Sequence, residues 1–294
     1  MLELHHVTKR YGERLALDDV SFTVGEGRMT GFVGANGAGK TTAMRIILGV
    51  LAADGGTVSL NGADVTAVNR RRFGYMPEER GLYPKMRVLE QIVYFARLHG
   101  WSTAAATRNA TELLQRLGLG ERLNDTVESL SLGNQQRAQI AAALVHRPEV
   151  LVLDEPFSGL DPMAVETVQG VLSDYAGRGA PVLFSSHQLD IVERLCDDLV
   201  IISEGRIRAA GDREHLRDTH APVSYELRLA GDVQWLRSVP GVQVLSMEGG
   251  WALFDADTDA VRQQVLREAI EHGAVQSFAR RHVSLAQIFK EVVQ

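Results

Sequence analysis

Short apolar runs recur along the first two thirds of the chain. They stand in MTGFVG, VLVLDEP, PVLFSSH and DLVIISEG, and each is four or five residues long before a polar or glycine-rich stretch begins. Runs of this kind are typical of strands that are buried on both faces of a parallel sheet. Because helical patterns separate several of them, we expect an α/β core.

Two other patterns accompany these runs. The stretches LELHHVTKRY and ALDDVSFTV alternate apolar with polar residues and predict strands, as does TVSLNG. Between about residues 85 and 146, the stretches VLEQIVYFARLHG and TELLQRLGL carry apolar residues at helical spacing. We therefore predict a helical insertion within the α/β core, which itself occupies residues 1–215.

The remainder, residues 216–294, predicts a small α+β domain. The stretch REHLRDTHAPVS is polar and is interpreted as a linker, and YELRLAG, VQVLSM, WALFDAD and VQSFARR read as strands. One predicted helix ends at Gly273, and its apolar face consists of Val261, Val265, Leu266, Ala269 and Ile270. The last predicted helix has a capping box of Ser284 and Gln287, and its apolar stripe consists of Leu285, Ile288, Phe289 and Val292.

Composition and charge narrow the possible functions. The 294 residues carry a formal net charge of -6, so no nucleic-acid partner is expected. The one cysteine, Cys196, is predicted to be a small apolar residue on a helix. The chain shows no secretory signal and no apolar run of about 18 residues that could span a bilayer. We expect a cytoplasmic protein whose membrane role, if any, comes through a partner.

Residues 34–41 read GANGAGKT and fit the phosphate-binding pattern G-x-x-x-x-G-K-[ST]. The stretch follows a predicted strand and precedes a predicted helix, as the mechanism requires. Gly34, Gly37 and Gly39 let backbone N–H groups approach phosphates, Lys40 reaches the β- and γ-phosphates, and Thr41 offers a hydroxyl to Mg²⁺. The alternative is a chance glycine-rich turn. The context favours a nucleoside triphosphate site.

Two acidic residues follow the apolar run of VLVLDEP. Asp154 is predicted to hold Mg²⁺ directly or through water, and Glu155 is placed to polarise an attacking water. Taken alone this pair is weak, since acidic residues often end strands. Together with the phosphate-binding loop it predicts nucleotide hydrolysis.

A second motif, LSLGNQQR at residues 130–137, identifies a family. Residues 1–215 resemble the ATP-binding subunit of an ABC transporter, whose signature reads LSGGQ followed by QR. Leu132 and Asn134 depart from that signature, whereas Ser131 and Gly133 keep the hydroxyl and the bare N–H that can meet a γ-phosphate at a helix N-terminus. In isolation the stretch could be an ordinary serine-capped helix.

The order of the other motifs strengthens the resemblance. Asp154 follows Ser131 by 23 residues, SGLD at 158–161 matches the family's D-loop, and His187 in SSHQ resembles the switch histidine that contacts the γ-phosphate. Tyr11 matches the aromatic residue that stacks on adenine, although a half-buried strand tyrosine is the alternative. The resemblance implies catalytic roles for Glu155 and His187. It implies nucleotide contacts for Tyr11, Gly34, Asn36, Gly37, Ala38, Gly39, Lys40, Thr41, Thr42, Ser131, Gly133, Asn134 and Asp161.

One further position departs from the family. Glu78, in the loop GYMPEERGLYP, stands where many members have a glutamine that approaches Mg²⁺. We expect Glu78 to join Thr41 and Asp154 at the metal. The alternative is that Glu78 points outward to a partner or pairs with Arg80.

The resemblance also implies an assembly. It predicts a P-loop NTPase fold of the ABC type that uses ATP and Mg²⁺, in a head-to-tail dimer with itself or with a sister subunit. A separate transmembrane permease would dock on the helical insertion and the loop before it, holding the chain at the inner face of the cell membrane. The altered signature and the α+β tail resemble sodium and drug exporters. The alternatives are a soluble ABC ATPase without a permease, or a tail that senses a ligand.

Overall fold

Three β-sheets organise the fold, which is described here from a computed structural model for residues 1–79, 81–220, 224–281 and 284–293. The strands are β1 Leu2–Tyr11, β2 Arg14–Val24, β3 Met29–Val33, β4 Gly55–Leu60, β5 Ala63–Asp64, β6 Phe73–Met76, β7 Val150–Leu153, β8 Val182–Ser186, β9 Asp198–Ser203, β10 Arg206–Asp212, β11 Ser224–Ala230, β12 Val242–Glu248, β13 Trp251–Ala256 and β14 Ala274–Arg281. The helices are α1 Lys40–Ile47, α2 Ala67–Arg70, α3 Val88–Leu98, α4 Thr103–Arg116, α5 Leu132–Leu144, α6 Pro162–Ala176, α7 Leu189–Leu195, α8 Arg213–His220, α9 Asp259–His272 and α10 Leu285–Val293.

The central sheet has the strand order β10-β9-β3-β8-β7-β6. Its strands are parallel from β9 to β6, and β10 pairs antiparallel with β9 at one edge. Every residue of β3, β7 and β8 is buried. Burial on both faces explains why these strands read as apolar runs rather than as alternating patterns, and it confirms the predicted α/β core.

An antiparallel sheet, β2-β1-β4-β5, shares one apolar core with the central sheet. Leu4 and Phe22 from the antiparallel sheet, Met44 from α1, and Phe32 and Val152 from the central sheet belong to the same buried cluster. Removing this much apolar surface from water fixes the start of α1 against β3. The loop between them is therefore held from both sides.

The helical insertion lies between β6 and β7 and contains α3, α4 and α5. The loop that leads into it is fastened by Gln91, which is fully buried on α3. Its amide donates to the Tyr83 carbonyl at 3.1 Å and accepts from the Tyr83 N–H at 2.9 Å. A buried side-chain amide that both donates and accepts holds a loop backbone in one arrangement.

The chain divides into two compact units, Met1–Arg213 and Glu214–Val292. The second unit contains an antiparallel sheet of order β12-β13-β11-β14. Its core joins Leu227 and Phe254 of the sheet to Val265 and Ala269 of α9. The predicted strands and helices of this α+β unit are thus present.

Two details of the predicted second unit are wrong. Helix α8 occupies most of the predicted linker, with Leu216 buried and a 2.8 Å ion pair between Arg217 and Glu214 one turn apart; residues 221–223 of that stretch lie outside the described residues. Ile270 is exposed rather than buried. At about 100° per residue it lies roughly 140° around α9 from Val265, so the buried face is narrower than predicted.

Three other features concern residues and segments that the sequence analysis singled out. Cys196 is buried as predicted, but it lies one residue beyond the end of α7 rather than on a helix. Its thiol donates to the Val192 carbonyl, and burial raises its pKa to about 12. At α10 the backbone N–H of Ser284 donates to the Gln287 side chain at 3.3 Å, as one half of the predicted capping box requires. No helix in the described part of the chain has the length and apolar character to cross a bilayer.

Candidate functional site

The loop between β3 and α1 forms the base of the site. Gly39 adopts a φ of 114°, which side chains rarely tolerate, and a Cβ there would lie 2.8 Å from the Ala16 carbonyl oxygen. Gly34 also has no room for a side chain, because a Cβ would lie 2.4 Å from the Ile202 carbonyl oxygen. Within Lys40–Ile47 the first turn has no acidic residue, and Gly39 provides no side-chain cap. The N–H groups at this helix end are therefore available to an anion.

Lys40 is buried and points back over the loop. Its Nζ donates to the Gly34 carbonyl at 2.6 Å and to the Ala35 carbonyl at 3.3 Å. Burial lowers the pKa of Lys40, and the nearby carboxylates of Glu155, Asp154 and then Glu78 partly oppose that change. A triphosphate can replace the two carbonyls as the partner of this ammonium group.

Asp154 connects three elements at the end of β7. Its carboxylate accepts from the Thr41 hydroxyl at 3.0 Å and from the Ser185 hydroxyl at 2.5 Å. The described residues contain no cluster of three His, Cys, Asp or Glu side chains suited to a metal. Mg²⁺ does not need one, since it usually binds through one or two protein oxygens together with substrate phosphates. The adjacent hydroxyl and carboxylate oxygens of Thr41 and Asp154 fit that requirement.

Glu155, the next residue, is held from several directions. Its backbone has a φ of 51°, its N–H donates to the Ser185 hydroxyl at 2.9 Å, and its carbonyl accepts from the Gln136 amide at 2.9 Å. The carboxylate lies 2.9 Å from Nδ1 of His187 (Oε2 to Nδ1), and it is mostly shielded from solvent. A non-glycine residue in a left-handed conformation is sustained only by such surroundings.

The phosphate-binding loop, the start of α1 and the two acidic residues after β7 border one cavity of about 290 Å³. The lining residues are Tyr11, Arg14, Ala16, Asn36, Gly37, Gly39, Lys40, Thr41, Thr42, Glu78, Asp154 and Glu155. Tyr11 stands at the end of β1 and is half exposed, and the Lys9 ammonium lies over its ring at 5.9 Å from the ring centre. Gly34 and Ala38 are buried within the loop and contribute backbone rather than side chains.

The second motif lies away from this cavity. Ser131 caps α5, with its hydroxyl accepting from the Asn134 N–H at 3.3 Å, and it is exposed. A Cβ on Gly133 would approach the Gly159 carbonyl oxygen to 3.3 Å, so the signature packs closely on the SGLD stretch. Asp161 caps α6 by accepting from the Ala164 N–H at 2.8 Å. Among the described residues that line the cavity, none comes from this surface.

Family models match both parts of the chain. A model described as ABC transporter matches residues 17–158, and one described as ATP-binding protein DrrA1-3-like, C-terminal domain matches residues 211–293. The ABC transporter ATP-binding protein YhaQ of Bacillus subtilis is 38% identical over 100% of this chain and 98% of its own length. The chain belongs to the ABC transporter ATP-binding proteins. Its fold and nucleotide-binding character are those of this family.

Other relatives and solved structures agree with this assignment. The linearmycin resistance ATP-binding protein LnrL of Bacillus subtilis is 32% identical over 82% of this chain and 76% of its own. Nod factor export ATP-binding protein I of Burkholderia orbicola is 39% identical over 71% of this chain and 70% of its own. The structure of an ABC transporter ATP-binding subunit is 33% identical, covers 74% of this chain and 92% of its own, and has a TM-score of 0.69. A bacterial ABC cassette solved as a dimer is 25% identical over 72% of this chain and 98% of its own, with a TM-score of 0.67.

The structure adds residues that sequence reasoning did not assign to the site. Arg14 and Ala16 line the nucleotide cavity, and the Arg14 guanidinium donates to the Gly37 carbonyl at 3.3 Å. Ser185 bridges Asp154 and Glu155. Gln136 was seen only as part of the family motif, yet it ties the signature helix to Glu155. The position of Ser185 beside His187 in SSHQ was a usable signal, whereas Arg14 offered none.

Glu78 lies in the cavity lining, as its predicted role at the metal requires. Gln139 of α5 holds the backbone on both sides of it, donating to the Pro77 carbonyl at 2.8 Å and to the Glu79 carbonyl at 3.0 Å. The loop that carries Glu78 is therefore fastened to the signature helix. The alternative pairing of Glu78 with Arg80 falls on a residue outside the described ranges.

Proposed function

We propose that this chain hydrolyses ATP as one half of a head-to-tail dimer and drives a separate membrane permease in the direction of export. The dimer is proposed from one observation: within the described residues, the N-terminus of α5 contributes nothing to the lining of the nucleotide cavity in the same chain. The exposed hydroxyl of Ser131 and the free N–H groups beside it suit a γ-phosphate held by another subunit. The dimeric cassette among the similar structures supports this arrangement.

ATP would bind by its phosphates on the loop and by its base on Tyr11. The backbone N–H groups before α1 and the Lys40 ammonium would receive the β- and γ-phosphates. Asn36, Gly37 and Thr42 complete the wall of the cavity around them. The buried surroundings make each of these charge-assisted hydrogen bonds stronger than it would be in water.

Thr41 and Asp154 are the residues that would hold Mg²⁺ through their adjacent oxygens. When bound, the ion neutralises negative charge on the phosphates as the γ-phosphoryl group leaves. The Ser185 hydroxyl keeps the Asp154 carboxylate in place by donating to its second oxygen. Glu78, which also lines the cavity, is proposed as a further contact to the metal.

Glu155 is proposed to accept a hydrogen bond from the attacking water. The water oxygen bonds to the γ-phosphorus, the bond from that phosphorus to the β,γ-bridging oxygen breaks, and the water's proton passes toward the carboxylate. His187 lies 2.9 Å from this carboxylate, and we propose that it orients the carboxylate and contacts the γ-phosphate. Gln136 holds the backbone of Glu155, so the signature helix and the catalytic residue move together.

The proposals of a separate permease and of transport in the export direction are based on the names of the relatives. LnrL is named for linearmycin resistance, and the Nod factor protein is named for export. The chain itself has no helix suited to a bilayer in its described part, so transport would require a partner at the inner face of the cell membrane. The helical insertion and the loop carrying Tyr83 are the proposed docking surface.

The test is fractionation of cells that express the tagged chain at its natural level. We expect the chain in the membrane fraction, together with a protein of about six apolar spans, and we expect ATP hydrolysis by the purified pair. Recovery of an active ATPase in the soluble fraction without such a partner would favour the soluble, non-transport alternative.

A further inference from the structure

A second polar cavity lies on the first unit and is separate from the proposed nucleotide cavity. It has a volume of about 280 Å³ and shares no lining residue with the nucleotide cavity. Its walls come from α4 of the helical insertion, from the turn after α5, and from the end of α6. The lining residues are Asn109, Glu112, Leu113, Arg116, Arg147, Tyr175 and Arg178.

Three arginines converge on this cavity. Arg116 is already neutralised by an ion pair with Asp174. Arg147 and Arg178 have no carboxylate within ion-pair distance among the described residues. Glu112 is the one carboxylate in the described lining, so positive charge is in excess. Burial raises the pKa of Tyr175, and the guanidinium groups of Arg178, Arg147 and Arg116 partly oppose this change, which is consistent with their closeness to one point.

Arg147 is held in a defined orientation although it carries no ion pair. Its Nε and Nη2 both donate to Oδ1 of Asn109, at 3.2 and 3.1 Å, and its guanidinium lies over the Trp101 ring at 5.4 Å. The amide of Asn109 is fixed in turn by donating to the Val145 carbonyl at 2.6 Å. The backbone of Arg147 has a φ of 56°, which is unfavourable for a side chain of this size.

Arg178 is aligned by a different contact. Its guanidinium lies over the ring of Tyr175 at 5.7 Å, and the Tyr175 hydroxyl is anchored by donating to the Leu144 carbonyl at 2.9 Å. Two guanidinium forks with unused N–H donors therefore border the same small space. Such forks match phosphate oxygens in geometry as well as in charge.

We propose that this cavity is a binding site for a small phosphate-bearing anion, either inorganic pyrophosphate or the phosphate group of a small metabolite. The two guanidinium forks without a carboxylate partner among the described residues favour an anion with several acceptor oxygens, such as a phosphate, over a monocarboxylate. The volume suits a pyrophosphate or a sugar phosphate. Asn109 serves such a ligand chiefly by holding Arg147, since its Oδ1 already accepts two hydrogen bonds from that guanidinium and its Nδ2 donates to the Val145 carbonyl.

The site has a structural consequence because its walls belong to different parts of the unit. Asn109 and Arg116 are on the helical insertion, whereas Tyr175 is on the core helix α6 and Arg178 is in the turn that follows it. An anion that contacts Arg147 and Arg178 would join the insertion side to the core side. Its occupancy would then favour one orientation of the insertion relative to the central sheet.

The experiment uses the full chain with Lys40→Ala, to remove competing phosphate binding at the nucleotide loop, and with Trp235→Phe and Trp251→Phe. Trp101 is then the one remaining tryptophan of the three in the sequence, and it contacts Arg147 directly. Calorimetry and Trp101 fluorescence are recorded without Mg²⁺ at constant low ionic strength. The added anions are phosphate, pyrophosphate, a hexose phosphate and a dicarboxylate.

Saturable binding of pyrophosphate or the hexose phosphate is expected, with a matching change in Trp101 emission and no saturation by the dicarboxylate. Arg147→Gln and Arg178→Gln should each weaken binding by about tenfold or more, the scale of one charge-assisted hydrogen bond. Arg122→Gln is the matched control, since Arg122 is exposed on the same insertion and pairs with Asp125.

The preference between pyrophosphate and the hexose phosphate distinguishes the two sources of the anion. Thermal unfolding of each variant shows whether the fold is intact, and Arg178→Gln removes a ring contact but, within the described part of the chain, no hydrogen bond. No saturable heat for any phosphate anion would overturn the proposal. So would equal affinities in the arginine variants and the Arg122→Gln control.

Discussion

Nδ1 of His187 lies 2.9 Å from Oε2 of Glu155, and the two residues come from the ends of adjacent parallel strands. The same pair is reached from the signature helix, because Gln136 donates to the Glu155 carbonyl. The proposed general base, its orienting histidine and the signature are thus connected by two hydrogen bonds. A shift of α5 would therefore pull on the backbone that carries the Glu155 carboxylate.

Replacing Glu155 by glutamine should separate ATP binding from hydrolysis. The amide keeps the size and the contact to His187 but cannot accept a proton from water, so we expect a loss of about 10²–10⁴ in the ATPase rate. ATP should still bind, and an ATP-bound dimer should accumulate on size-exclusion chromatography. Glu149→Gln, an exposed carboxylate just before β7, is the control and should hydrolyse ATP like the parent. A Glu155→Gln rate within a few-fold of the parent would exclude Glu155 as the base.

Mixed dimers test whether the signature acts on the nucleotide of the other subunit. Ser131→Arg in one subunit and Lys40→Ala in the other place both lesions in one composite site and leave the second site intact. Neither variant alone should hydrolyse ATP, and their mixture should recover part of the parent rate. Mixing either variant with itself is the control. A mixture that stays inactive, although labelled subunits exchange, would contradict completion of the site in trans.

Glu78 should make ATP-driven dimer closure depend more strongly on Mg²⁺. A carboxylate about 5 Å from a phosphate charge repels it by roughly 3 kcal/mol at an effective dielectric of 20, before screening, and the metal relieves this cost. In a titration of Mg²⁺ against dimerisation, Glu78→Gln should reach half-closure at lower metal and should bind metal-free ATP better. Glu79→Gln, next to it but outside the cavity lining, is the control. Superimposable curves for parent and Glu78→Gln would remove Glu78 from the metal site.

The stability of the fold should fall in acid because of His146. Burial, together with the neighbouring ring of His99, lowers its pKa to about 4, and the contact to the Phe73 carbonyl only partly opposes this. Since the folded pKa is below the unfolded value near 6.5, the unfolded chain binds the proton more tightly. Stability is therefore lost as the pH falls from about 6.5 to 4, by about 3 kcal/mol for this group.

His146→Gln is the variant that measures this contribution, since its amide can still donate to the Phe73 carbonyl. Urea unfolding at pH 7, 5.5 and 4.5 should show a shallower decline in the free energy of unfolding for His146→Gln than for the parent. Parallel declines would show that His146 is not the source of the acid sensitivity.

Local motifs were sufficient for the fold class and for most of the nucleotide cavity. The loop from Gly34 to Thr41 needs glycines and a lysine at set spacing, and its chemistry depends on the backbone of one continuous stretch. The strands before Asp154 and His187 read as apolar runs because both faces are buried. Parallel strands end at the same edge of a sheet, so Thr41 after β3 and Asp154 after β7 meet at that edge although β8 lies between their strands. The sequence therefore predicted Thr41, Asp154 and Glu155 together.

Only the tertiary structure decided the contacts between distant segments. The polar stretch containing Leu216 folds as a helix, because one buried leucine and local ion pairs outweigh its linker-like composition. Gln136 was recognised only as part of the signature motif, and the sequence did not single out Gln139; packing brings them against Glu155 and the Glu78 loop. No periodicity or motif in the sequence predicts that Arg147 and Arg178 border the same cavity. Their positions follow from how α5 and α6 pack. Features that depend on the spacing of nearby residues, such as the phosphate-binding loop and the buried strands, can be predicted from the sequence. Contacts between remote residues depend on the free-energy minimum of the whole packed chain, so they cannot be read from local spacing.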